Sequence, residues 1–127
     1  MSAEANKDVF RTYVGLWETG SIGDLATVVH DRYVGHAPSG DRDLEGLRQR
    51  IMVFGQLYPG ARFQIEDQLA VGSKVATRLT GTARRAADGQ EVKLFGLNIS
   101  RVVDGKIIEE WMAWEVHPVY AGKPESA

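Results

Sequence analysis

Along the first part of the chain, apolar residues recur at helical spacing. Val9, Phe10, Tyr13, Val14, Leu16 and Trp17 fall on one side of a helix drawn through residues 4–19. Gly20 then fits a left-handed C-terminal cap. Ser21, with Asp24 three residues on, has the spacing of a capping box and predicts a short second helix to about Val29. Residues 33–38, Tyr-Val-Gly-His-Ala-Pro, read as a short extended stretch. A third helix is expected to start near Asp43, with Leu44, Leu47, Ile51 and Phe54 as its buried stripe and Tyr58-Pro59-Gly60 as its stop.

From residue 61 the period changes to two. Ala61, Phe63, Ile65, Leu69 and Val71 alternate with Arg62, Gln64, Glu66 and Gln68, and Asp67 is the exception on the apolar side. Gly72-Ser73 marks a turn, and strands are expected over about 74–86, 91–103 and 106–117, separated by Asp88-Gly89 and Asp104-Gly105. Three helices followed by an antiparallel meander define an α+β domain with its helices on one face of the sheet.

The last hairpin is apolar on both sides. Its odd-numbered face carries Phe95, Leu97, Ile99, Val103, Ile107, Trp111 and Ala113; its even-numbered face carries Leu94, Val102, Ile108, Met112, Trp114 and Val116. A sheet with one wet face shows a polar side. One face is therefore expected to meet the helices and the other a second subunit, which predicts a homodimer through the sheet. The alternative is a monomer with some exposed apolar residues.

Composition narrows the function classes. The length of 127 residues fits one domain with its own core, and 43% hydrophobic and 25% charged residues are ordinary for a soluble protein. A net charge of −2 with no basic face argues against nucleic acid as partner. The absence of Cys excludes disulfides, thiolate chemistry and Cys-based zinc sites. The 3 His show no metal-ligand spacing, so no metal is expected. No apolar run resembles a signal peptide or reaches the roughly 18 residues of a membrane span, which leaves a cytoplasmic protein with no membrane partner. The tail from about 121 is expected to fray. Neither a Ser-His-Asp arrangement nor a phosphate or dinucleotide loop is present.

Several stretches carry a resemblance. Tyr33–Pro38, the run from Phe54 to Thr82 and Ile99–Glu115 (ISRVVDGKIIEEWMAWE), together with the order of elements, resemble the SnoaL-like polyketide cyclases of the nuclear-transport-factor-2-like superfamily, over about residues 6–116. The R-x-x-D-G-K-I-x-E-x-W pattern is the most specific part. The resemblance implies a cone-shaped α+β fold and a cofactor-free enzyme, although this fold hosts several chemistries and plain binders. In the type cyclases an Asp on the last strand is the acid/base and a His on the preceding strand lies beside it. Aligned on Asp-Gly-Lys-Ile, those positions are Met112 and Asn98 here. Met transfers no proton, and Asn is a hydrogen-bonding group. Epoxide hydrolysis of the limonene type, which looks to need an Asp at the Met112 position, is not expected.

Strand parity selects among the remaining acids. Glu110, Met112 and Trp114 share one face, and Glu109, Trp111, Ala113 and Glu115 the other. With the even face turned into the cone, Asn98 has to pair in an even-sum register, for example opposite Glu110. A three-residue loop Val103-Asp104-Gly105 with Gly105 in a left-handed bulge gives that register, whereas a two-residue Asp104-Gly105 loop pairs Asn98 with Trp111. Glu110 is then the candidate acid/base, its pKa raised by desolvation; the bland alternative is a solvent-facing strand Glu, or one paired with Arg101 or Arg78. The resemblance places His36 near the pocket mouth, as a group that orients a carbonyl or relays a proton, against a purely structural His. Tyr13, Trp17 and Phe54 are expected to line the cavity from the helices, Tyr33 to offer its hydroxyl to a ligand, and Met112 and Trp114 to form a dry wall. His30 suits a helix end. The expected ligand is a small apolar or aromatic carbonyl compound. The expected reaction is cyclisation, isomerisation or dehydration, with a non-catalytic binding module on the same scaffold as the alternative.

Overall fold

The computed structural model describes residues 2–119; the expected fraying from about 121 lies outside them. Helix α1 spans Ala3–Thr19. Ser2 caps it, its hydroxyl accepting the Ala5 N–H at 3.1 Å, and Gly20 closes it at φ 71° with its N–H on the Leu16 carbonyl at 2.8 Å. Asn6, Phe10, Tyr13 and Leu16 form its buried side.

The second helix is a 3₁₀ turn, Ile22–Thr27, and the capping box does not form: Ser21 makes no side-chain cap, and its hydroxyl lies 2.7 Å from that of Thr19. Strand β1, Val29–Ala37, begins where that helix was expected to end, so His30 belongs to a strand, where its Nδ1 accepts the Arg32 N–H at 3.0 Å. A short strand β2, Gly40–Arg42, folds back on β1. Helix α2, Leu44–Leu57, is capped by Asp43, whose Oδ1 accepts the Gly46 N–H at 2.9 Å. Leu47 and Ile51 on this helix have no exposed surface. Truncating either to Ala costs about 2–5 kcal/mol.

Four long strands follow: β3 Arg62–Val71, β4 Lys74–Arg84, β5 Glu91–Val103 and β6 Lys106–Pro118. The sheet order is β2-β1-β6-β5-β4-β3. It is antiparallel except for β1, which runs parallel to β6. The expected meander is β3 to β6, and β1, expected only as a short extended stretch, joins it in parallel to complete the mixed, cone-type sheet. Its inner face packs on α1 and α2 around Phe10, Tyr13, Leu25, Leu47, Ile51 and Leu79. Among the described residues no helix is long and apolar enough to cross a membrane.

Two bulges set which side chains look inward. On β3, Ile65 pairs with Leu79 and Asp67 with Arg78, leaving Glu66 as an extra residue. Phe63 and Ile65 therefore pack on the core cluster, whereas Leu69 and Val71 are exposed. The single apolar face expected for this strand is split in two, and Asp67 is no exception on it, because it faces out and pairs with Arg78 at 2.7 Å. On β6, Val102 pairs with Ile107 and Arg101 with Glu109, leaving Ile108 extra. Ile107 is fully buried and belongs to the inner face, not to the odd-numbered outer one.

Candidate active site

The register of the last hairpin decides the site. The turn is the two-residue Asp104-Gly105, with φ 52° and 74°, the left-handed pair that a tight hairpin requires. Alone it would give odd-sum pairing. The Ile108 bulge restores the even-sum register, so Asn98 lies opposite Met112 and Ser100 opposite Glu110. The expected pairing of Asn98 with Glu110 and the three-residue loop are both corrected. The shared inward face of Asn98, Glu110 and Met112 stands.

These three side chains line a cavity of about 360 Å³ between the sheet and the helices. Tyr13 and Trp17 from α1, Phe54 from α2, and Trp114 from β6 also line it. The aromatic rings contact one another: Trp17 meets Phe54 edge-on at 5.6 Å, and Phe63 meets Trp114 at 5.4 Å. Gly96 makes room for the Trp114 ring, since a Cβ there would lie 2.6 Å from it.

Glu110 has no exposed surface. Its Oε1 accepts the hydroxyls of Tyr13, at 2.5 Å, and of Tyr33; its Oε2 accepts the Asn98 amide N–H at 2.7 Å. Ser100 donates its hydroxyl to Asn98 Oδ1 at 2.7 Å, which turns the amide nitrogen toward Glu110. Burial pushes the Glu110 carboxyl above its ordinary value, while the donors and the charge of Arg42 pull the other way. Burial first, and then the Glu110 charge, push both tyrosine hydroxyls up, so they act as donors and not as phenolates. Neither Arg101 nor Arg78 pairs with Glu110: Arg101 takes Glu109 and Arg78 takes Asp67.

Two expected site residues are placed elsewhere. Tyr33 does not line the cavity; it is 1% exposed and spends its hydroxyl on Glu110. Gly35 makes this reach possible, because a Cβ there would lie 2.9 Å from the Tyr33 ring. His36 is also absent from the cavity wall. Strand alternation turns it to the outer face, where its Nδ1 meets Asp41 at 2.9 Å, its Nε2 meets Glu109 at 2.8 Å, and its ring stacks on Trp111 at 5.4 Å. The bonds to Glu109 and Asp41 push its imidazole up. The bond from His36 is the chief cause holding Glu109 below the usual carboxylate range. Because the two carboxylates sit on opposite ring nitrogens, they do not converge on one point as metal ligands would. Among the described residues no group of three or more His, Asp or Glu could hold a metal ion.

Sequence reading missed Ser100, Arg42 and Arg50. The two arginines line the cavity. Arg50 lies three residues after Leu47 and four before Phe54, on the edge of the buried stripe of α2, and that spacing was the available signal.

A curved mixed sheet wrapped over a helix-covered cavity defines an α+β protein of the nuclear-transport-factor-2-like fold. The chain belongs to the SnoaL-like polyketide cyclase family, whose model matches residues 7–121. It is similar in structure to IdmH from Streptomyces antibioticus, a candidate polyketide cyclase, with a TM-score of 0.80 and 22% identity over 87% of this chain and 91% of that one. A candidate polyketide cyclase from Bacillus cereus superposes with a TM-score of 0.79 and 29% identity, over 87% of this chain and 74% of the other. An epoxide hydrolase of M. tuberculosis shares the fold at a TM-score of 0.73 and 14% identity, over 89% and 84% of the two chains. No curated protein sequence matches the chain.

Proposed function

We propose that this protein is a small cofactor-free enzyme acting by proton transfer on an apolar, carbonyl-containing molecule of polyketide type. One observation carries the reading: a fully buried carboxyl, Glu110, lies in the wall of an aromatic cavity and touches only neutral donors. Burial raises its proton affinity toward the range a general acid/base needs, and the bonds from its donors and the charge of Arg42 offset only part of that effect. It sits two residues before Met112, on the same face as the position at which the family's type enzymes carry their acid. Asn98 has a second amide hydrogen, which supports a role in polarising the substrate carbonyl as charge develops on its oxygen. Tyr13 and Tyr33 hold the carboxyl in place. Met112, Trp17 and Trp114 supply the dry wall, with Phe54 behind them. His36 lies outside this cavity and ties β1 to β6 through Glu109.

The test is exchange of the α-hydrogens of α-tetralone for deuterium in heavy water, followed by NMR. Glu110 would take the proton, Asn98 would hold the enolate oxygen, and a deuteron would return to carbon. Glu110→Gln is expected to lower the enzymatic rate roughly 100-fold. A rate unchanged by that substitution removes Glu110 from the chemistry. A second reading, a non-catalytic binder, is favoured by the fact that Glu110 Oε1 already holds two hydroxyls. Binding of α-tetralone without exchange above background would establish it.

The outer face of the sheet exposes Leu69, Phe95, Leu97, Ile99 and Trp111. These residues support a homodimer formed face to face through the sheet. A monomer mass by light scattering at micromolar concentration would overturn that assembly.

A further inference from the structure

The cavity lining carries charge of both signs. Glu110 is the acid of the inner wall, whereas Arg42 and Arg50 are the charged residues on the side of α2 and the Ala37–Ser39 turn. Arg42, at the end of β2, is half-buried and close enough for its charge to act on Glu110 and Tyr33. Arg50, on the second turn of α2, is exposed.

The acids that could neutralise these guanidiniums are engaged elsewhere. Asp41 binds His36, Asp43 caps α2 through Gly46, and Glu45 takes Arg48 and Gln49. Among the described residues neither Arg42 nor Arg50 has an ion-pair partner. The chain as a whole is net negative at −2, so two guanidiniums without counter-ions beside an aromatic cavity are not a by-product of a basic surface. Their neighbours in the lining are apolar, among them Pro38, Val53 and Leu57, which would bring an anion into a partly dry setting. A guanidinium presents a planar fork of donors that matches a carboxylate.

We propose that the ligand is a carboxylate: a planar apolar body whose acid group is held by Arg42 and Arg50 at the mouth. The Glu110 charge repels a second anion from the inner end, so the molecule enters with its neutral, carbonyl-bearing end toward Asn98 and Glu110. The two arginines thereby set the direction of binding and select free acids over esters. This inference rests on the cavity being the ligand site proposed above, and its test separates the two claims.

The measurement is quenching of Trp17 and Trp114 fluorescence by naphthoate, methyl naphthoate and naphthyl phosphate, in the unaltered protein and in Arg42→Gln, Arg50→Gln and the double variant. Naphthoate is expected to bind roughly tenfold or more tightly than its methyl ester. The preference should shrink with added salt and vanish in the double variant, whose folding is checked independently by its circular dichroism and urea unfolding. Equal affinity for acid and ester, or a preference that survives the double substitution, overturns the carboxylate inference and leaves the cavity reading standing. Tighter binding of the phosphate than of the carboxylate overturns the choice of anion. Failure of all three probes to bind removes the cavity reading and this inference with it.

Discussion

Replacing Tyr33 by Phe isolates one bond of the buried node. The ring keeps its place, because Tyr33 is 1% exposed and its packing with the core does not involve the hydroxyl. What is lost is an O–H donated to Glu110 Oε1, on a carboxyl with no exposed surface. A hydrogen bond to a charged group contributes about 1.5–3 kcal/mol, so a loss of about 2 kcal/mol is expected near neutral pH. Unfolding entropy of about 2.1 cal/mol/K per residue, over 127 residues, gives about 0.27 kcal/mol/K, and therefore a melting point lowered by about 7 °C. The loss should depend on pH in one direction. Burial sets the Glu110 carboxyl above its unfolded value, so between those two values the folded state holds more protons and stability falls as pH rises. Removing a donor to the ionised form lifts the folded value further and extends that window upward. The deficit of Tyr33→Phe is thus largest near pH 8. It shrinks as pH falls toward the ordinary Glu value of about 4.3, where a neutral hydrogen bond of about 1 kcal/mol remains. Urea unfolding of both proteins between about pH 5 and 8 provides the measurement. A deficit below about 0.5 kcal/mol at the alkaline end, or one of equal size throughout, would refute the picture of an ionisable carboxyl held by charge-assisted bonds.

Two further outcomes are expected. Gly96→Ala places a Cβ 2.6 Å from the Trp114 ring; the overpacking should cost about 1–3 kcal/mol and push Trp114 into the cavity, weakening naphthoate binding, and unchanged binding would show that the ring is free to move. The His36 imidazole, raised by Glu109 and Asp41, should titrate by NMR above the ordinary 6.5. Its stabilising effect is then present below that value and is lost as pH rises through the raised one. Glu109→Gln should bring the midpoint back down, and a midpoint indifferent to that change would separate the two side chains.

The parts of the fold legible in the sequence are those fixed by local chemistry. Gly20 in its left-handed cap, Asp43 on the Gly46 N–H, and the Asp-Gly turns each announce themselves within a few residues. The parallel pairing of β1 with β6 joins residues more than seventy positions apart, and nothing near Val29 announces it. That is why β1 was expected to be shorter and the second helix longer. The candidate site divides in the same way. Asn98 entered through the family resemblance, and face alternation along the last strand then selected Glu110 among the acids. Tyr33 and His36 were misplaced, although alternation along Tyr33-Val34-Gly35-His36 already puts those two side chains on opposite faces. Ser100 was silent, because its part is to fix the rotation of Asn98, and only contact distances reveal such a role.

The extra residue Ile108 behaves like a frameshift written in space. Before it, the last strand shows its odd-numbered residues to the interior; after it, its even-numbered ones. The string Glu109-Glu110-Trp111-Met112 thus holds two interleaved sets of side chains, and the bulge chooses which set forms the interior and which the outer face. Gaining or losing one residue between Val102 and Glu109 would exchange the sets without altering a single downstream letter. In this chain, then, a side chain reaches the cavity by its count from the bulge, and a chain that matched it letter for letter beyond that point but lacked Ile108 would turn the opposite half of the strand inward.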